Sequence, residues 1–235
     1  MRNKLGVVII LCLDLILILL FKGLIGSIKT CYKHTIKLND KKDISNTYKL
    51  EMNKLNDLSY YLYTPSNKKD NMPLIIYLHG NNNDITNENI IKYLNDGYYD
   101  YLESYIVIPK LDDKYNNWID IQSNIVNLIN YMYNNYNIDI NRISLTGYDK
   151  GATGVYQLQT KLPNTFSCIL PMNGNIKDIY VDTNKINKTK VWLYTSNNDN
   201  YTSSLINSSK ITKYDGDYSL EYKNKDVINW LVNCK

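Results

Sequence analysis

The residue of greatest chemical consequence is Asp149, at the centre of Gly147-Tyr148-Asp149-Lys150-Gly151. The apolar, β-prone run Ile143 to Thr146 precedes this pentapeptide, and a segment of helical periodicity, Ala152 to Leu162, follows it. Strand, sharp turn and helix are therefore expected, with small residues at Gly147, Gly151 and Gly154 letting the turn sit close to neighbouring backbone. A carboxylate lifted by such a turn can attack an electrophilic carbon. If Asp199 and Asp217 converge with it, the carboxylates can instead divide into acid and base, or hold a hard cation such as Ca²⁺ or Mg²⁺. Solvated loop aspartates are the plainer reading of the last two. The chain has 2 histidines, His34 in a polar stretch and His79 at the end of an apolar run. No C-x-x-C or His/Cys cluster marks a metal site, and no cofactor is implied.

The surrounding elements must place these residues. Leu58 to Thr64 reads as a strand, and Pro73 to Leu78 and Tyr105 to Pro109 as strands buried on both faces. Ile90 to Leu94 is a short helix. Ile121, Ile125, Leu128, Ile129 and Met132 give an amphipathic helix to about Tyr136. Phe166 to Pro171 and Lys190 to Thr195 are further strands, Thr202 to Ser209 a short helix, Ile211 to Tyr214 an edge strand, and Asp226 to Val232 a closing helix. Alternating strands and helices predict a doubly wound, mostly parallel α/β sheet with no large cap, whose ligands bind at the carboxyl ends of the strands. His79, Asp149 and the loop after Thr195 all fall there.

In these blocks the chain, from about Leu58 onward, resembles the α/β-hydrolases. The resemblance is to the small bacterial esterase and predicted-peptidase group that includes feruloyl-esterase-like and polyester-depolymerase-like proteins. It is carried by Pro73 to Gly80, Ile138 to Ile143 before the turn, Gly151 to Tyr156 after it, Phe166 to Gly174, and Val191 to Tyr194 leading to Asp199. The pentapeptide is that family's G-x-S-x-G nucleophile elbow with Asp149 in the serine position. The resemblance implies an oxyanion hole made by the backbone N–H groups of Lys150 and Asn81, with His79 and Gly80 shaping the loop. It implies Asp199 as the triad acid. The family's Gly-x-Gly-His-x-x-Trp pattern aligns with Gly216 to Tyr222 and puts Ser219 in the histidine position. Haloalkane dehalogenases and epoxide hydrolases do attack with an aspartate, yet they need a histidine to free the intermediate. Losing a triad nucleophile or base leaves only ~10³–10⁴ over the uncatalysed rate.

Residues 1–4 are a basic tail and residues 5–28 an apolar stretch able to span ~30 Å of hydrocarbon. An uncleaved single-pass anchor is expected, with the domain outside, although Asp14 lies mid-span at a cost of ~3 kcal/mol. Residues 29–57 form a linker and an opening strand or two before the domain at 58–235. Net charge is +4 without a basic block, so nucleic-acid binding has no footprint. Cys168 reads as a small buried hydrophobe, and Cys31 and Cys234 can pair if the domain lies outside the cytoplasm. Three functions fit: a non-catalytic, membrane-held hydrolase fold that binds a small ligand or a protein; a hydrolase using Asp149 or a carboxylate cluster; or a structural interaction domain.

Overall fold

The computed structural model describes residues 49–81 and 85–234. The expected anchor at 5–28, with Asp14, Cys31 and His34, lies outside the described residues, among which no helix is long and apolar enough to cross a membrane. The chain enters at β1 (Lys49–Leu55) and turns at Asn56 into β2 (Leu58–Thr64). Alternating units follow: β3 (Met72–Leu78), α1 (Asn89–Asn95), β4 (Tyr105–Pro109), α2 (Gln122–Tyr136), β5 (Ile138–Tyr148) and α3 (Lys150–Lys161). Then come β6 (Cys168–Met172), α4 (Thr183–Ile186), β7 (Lys190–Thr195), α5 (Asn200–Leu205), β8 (Lys210–Lys213) and α6 (Lys225–Asn233). The strands form one 8-stranded sheet in the order β1-β2-β4-β3-β5-β6-β7-β8. The β1–β2 and β2–β4 pairs are antiparallel and all others parallel.

Period-2 alternation divides the core between the two faces of the sheet. Leu74, Ile76 and Leu78 of β3 join Ile125, Leu128 and Met132 of α2 and Val155 and Leu158 of α3. Ile75 and Tyr77 join Ile90, Ile91 and Leu94 of α1 and Val227, Ile228 and Leu231 of α6. A strand covered on both faces needs no polar side, which is why β3 is a continuous apolar run.

Boundaries differ from expectation where polar side chains decide them. β5 reaches back to Ile138, where Arg142 Nε donates to Asp139 Oδ2 at 2.7 Å. α5 starts at Asn200 because Asp199 caps it through the Thr202 N–H, and it ends at Leu205, short of the expected Ser209. Short pieces with no sequence expectation include α4, capped by Asp182, and 3₁₀ turns at Trp118–Ile121 and Tyr218–Lys223. Each begins at an Asp or Asn cap and is too short to show a hydrophobic period.

Candidate functional site

The parallel strands deliver their loops to one edge. At the end of β5, Asp149 sits at φ 48°, ψ −115°, a region a side chain enters only when its surroundings force it. Its N–H donates to the Met172 carbonyl at 3.0 Å, and its own carbonyl accepts from the Thr153 N–H at 3.0 Å. Glycine makes this closeness possible. A Cβ on Gly151 would lie 2.0 Å from the Leu78 carbonyl oxygen, and one on Gly147 would lie 2.6 Å from the same atom. The turn is the strained elbow that the glycine spacing implies.

The Asp149 carboxylate is half-buried. It takes no lysine partner; the Asn173 amide donates to it at 3.3 Å. Burial raises its pKa, the Asn173 hydrogen bond lowers it, and the nearby charge of Asp217 raises it again, for a net upward shift. Asp149 thus has the Asn173 amide as its hydrogen-bond partner, with the charge of Asp217 felt from nearby.

Asp199 is turned into its own loop. Oδ2 accepts from the Thr195 hydroxyl at 2.6 Å and Oδ1 from the Thr202 N–H at 3.0 Å. Burial alone would raise its pKa, but these donors outweigh it and the value is lowered. The convergence of Asp149, Asp199 and Asp217 on a hard cation is not realised: Asp199 satisfies Thr195 and Thr202, and among the described residues no trio of acidic, His or Cys side chains is grouped to hold a metal.

Ser219 is 5% exposed. Its hydroxyl donates to Asp217 Oδ1 at 2.5 Å and accepts from Asn89 Nδ2 at 2.7 Å. The next-door Tyr218 donates its hydroxyl to the Tyr214 carbonyl at 2.6 Å. Asp217, which holds Ser219, is near enough for its charge to raise the Asp149 pKa.

His79 is buried, its ring edge-on to Trp118 at 4.9 Å. Nε2 accepts from the Leu111 N–H at 3.0 Å, so Nδ1 carries the proton and donates to the Gly80 carbonyl at 3.1 Å. Burial, with weaker contributions from Lys150 and Lys110, lowers its pKa to about 4 against the Gly80 bond. Asn81 follows as an exposed residue at the loop's start, and Lys150 opens α3.

Sequence reasoning missed Glu88. It is 2% exposed, and its carboxylate accepts from the hydroxyls of Tyr77 at 2.9 Å and Tyr148 at 3.1 Å and from the Gly80 backbone N–H. The Tyr148 ring lies against Gly80, where a Cβ would come within 2.8 Å of it. Glu88 therefore ties β3, the oxyanion-type loop and the elbow together. Burial raises its pKa, the two hydroxyls and the Gly80 N–H pull it back, and Asp217 adds to the rise, leaving it above the ordinary carboxylate value. No signal in the Asn87-Glu88-Asn89 run could have found it, because every partner is brought by the fold. Glu88→Gln removes the titrating group and gives Gly80 or Tyr148 a worse partner. The expected loss is about 1 kcal/mol at neutral pH by urea unfolding. Stability gained from a raised carboxylate is present below its unfolded pKa and disappears as pH rises through the folded one, so the variant should lose that acid-side gain.

Beside Asn173 opens a cleft of about 540 Å³ lined by Asn173, Asn175, Ser196, Asp199 and Tyr201 among others. Its walls are mostly amide and hydroxyl groups, suited to a hydrogen-bonding ligand.

Comparison with known proteins agrees with the fold. No protein-family profile matches the chain. A bifunctional acetylxylan esterase/xylanase from Neocallimastix patriciarum is 28% identical over 138 residues, which is 55% of this chain and 19% of that protein. The chain thus answers to about one fifth of that relative's length. Among solved structures, a ferulic acid esterase superposes with a TM-score of 0.64 at 12% identity, over 81% of this chain and 100% of that one. A thermostable esterase superposes with a TM-score of 0.60 at 18% identity, over 78% of this chain and 62% of that one.

Proposed function

We propose, from the premise that this chain carries the α/β-hydrolase fold shared with these esterases, that it is a ligand-binding member of the fold without Ser–His turnover. The observation that carries the reading is the Asp149 carboxylate at the strained turn, hydrogen-bonded by the Asn173 amide. A carboxylate occupies the elbow, and its charged neighbour is Asp217. A negative group there repels the oxyanion that an ester-cleaving site must gather. Among the described residues no histidine is free to act as base. Ser219 stands in the histidine position, and His79 already uses Nε2 to accept from Leu111. What remains is a framed pocket: an elbow, a loop fixed by His79 and Glu88, and a polar cleft alongside. Residues 5–28 would hold this domain to a membrane, with the domain on the outer side.

A short-chain fluorogenic ester tests this. The native protein and each single variant, Asp149→Ser and Ser219→His, are expected to match background. The double variant is expected to exceed it by at least ~10-fold, since nucleophile and base act as a unit. A double variant at background would sink the retained-pocket part of the reading.

The half-buried Asp149 carboxylate at the turn, raised by burial and by the charge of Asp217, favours a second reading, a hydrolase in which Asp149 attacks the substrate or activates water with Asp217 assisting. Native hydrolysis that disappears in both Asp149→Asn and Asp217→Asn would establish it and overturn the first.

A further inference from the structure

Cys234 ends α6 and is 5% exposed; Cys168 opens β6 and is fully buried. Both are free thiols. They meet on the sheet face that α6 covers. Cys234 Sγ donates to the carbonyl of Ser167, the residue before Cys168, at 3.9 Å. Cys168 Sγ lies 3.3 Å from the hydroxyl of its β5 register partner Ser144, and that hydroxyl also donates to the Leu231 carbonyl of α6. The Cys234 thiol thus sits against the residue that precedes Cys168, and each thiol shifts the titration of the other.

We propose that Cys168 and Cys234 form an internal disulfide that fastens the closing helix to the central sheet when the protein meets a disulfide oxidant, such as an oxidised dithiol or glutathione disulfide. The two side chains lie on neighbouring fixed elements, Cys168 on β6 and Cys234 at the end of α6 against the Ser167 carbonyl. The proposal gives Cys234 a partner within the domain in place of Cys31, which lies outside the described residues.

The chemistry proceeds by two exchanges. Cys234 is the attacking thiol: the Cys168 hydrogen bond lowers its pKa against burial, with help from Lys190. It also follows the last turn of α6, and helix ends fray more readily than helix middles. Its thiolate displaces one thiolate from the oxidant and forms a mixed disulfide. Cys168, whose pKa burial holds high, then yields its proton and attacks the Cys234 sulfur, releasing the second reduced thiol. Two protein thiols become one S–S bond, and one oxidant disulfide becomes two thiols. The inference is independent of what the elbow binds.

The test uses the full chain in detergent carrying Cys12→Ser and Cys31→Ser, incubated with glutathione disulfide. Free thiols are alkylated after denaturation and the digest is mapped by mass spectrometry. The expected results are loss of both alkylation sites, a cross-linked Cys168–Cys234 peptide, and a melting temperature higher by roughly 5–15 °C that a reductant reverses. Cys234→Ser in the same background should show no shift. Both thiols alkylated after saturating oxidant, or each carrying glutathione without a cross-link, would overturn the proposal. So would a native chain whose Cys234 maps to Cys31.

Discussion

Gly151→Ala is expected to unfold the protein or weaken it by at least ~4 kcal/mol. On an ordinary helix the same change is favourable. Gly151 is in the first turn of α3, where alanine gains ~0.5–1 kcal/mol over glycine through propensity and a less free unfolded chain. Here the sign reverses for a geometric reason. The new Cβ would stand 2.0 Å from the Leu78 carbonyl oxygen, 2.7 Å from its carbon and 2.8 Å from the His79 carbonyl oxygen. All three are backbone atoms, so no rotamer change relieves the overlap. Either α3 lifts away from β3, exposing Val155 and Leu158, or the end of β3 bends and pulls His79 off Leu111. Either route exceeds the usual 1–3 kcal/mol of an overpacked side chain. Gly80→Ala is the control. Its Cβ meets the Tyr148 ring at 2.8 Å, a side chain that can swing aside, so a loss nearer 1–2 kcal/mol is expected. Urea unfolding of both variants checks the pair. A Gly151→Ala protein within a few tenths of a kcal/mol of the parent would mean that the elbow does not press on β3, and the account of Asp149 would fail with it.

That clash shows why the elbow was legible from the chain while its electrostatics were not. A tight strand-to-helix turn demands small residues at fixed offsets, so Gly147, Asp149 and Gly151 carry their geometry in their spacing. The strands were legible for a similar reason: a run covered on both faces, such as Met72–Leu78, admits no polar side chain. Partner choice at the strand ends leaves no such trace. Asp199 has the offset to cap α5 through Thr202, and that local bond wins over any role further off. Asp217 is held as the cap of the 3₁₀ turn at Tyr218–Lys223, braced by Asn89 on α1 through Ser219, and its charge reaches Asp149 only through that fold-made placement. Glu88 is harder still. Its partners are Tyr77 on β3, Tyr148 on β5 and the Gly80 amide, and only the sheet order makes them neighbours.

His79 is expected to titrate near pH 4, and the folded state should lose roughly 3 kcal/mol of stability from this residue as the pH falls from about 6.5 toward 4. The sign follows from which state holds the proton. In the unfolded chain the imidazole charges near 6.5, whereas in the fold burial keeps it neutral to about 4. Between those values the unfolded state binds more protons, so acid favours unfolding, and the contribution is complete above about 6.5. Glu88 and Asp149 act oppositely, since their raised values favour the folded state in acid and the benefit fades as pH rises through them. The bare stability curve therefore mixes the two. The difference between the parent and His79→Gln separates them, because glutamine can still accept from Leu111 and donate to Gly80 without titrating. Its deficit at neutral pH, mainly the lost contact with Trp118, should shrink or reverse near pH 4. With 2 histidines in the chain, proton NMR of the imidazole C2 protons gives an independent reading: the His79 resonance, assigned by its loss in His79→Gln, should titrate only near pH 4 or at acid unfolding. Two resonances titrating near 6.5 would refute the claim. They would also return His79 to the set of bases available at neutral pH. A neutral His79 whose Nε2 is occupied cannot draw a proton from water or substrate beside Asp149, and the proposal of a binding site without Ser–His turnover depends on that.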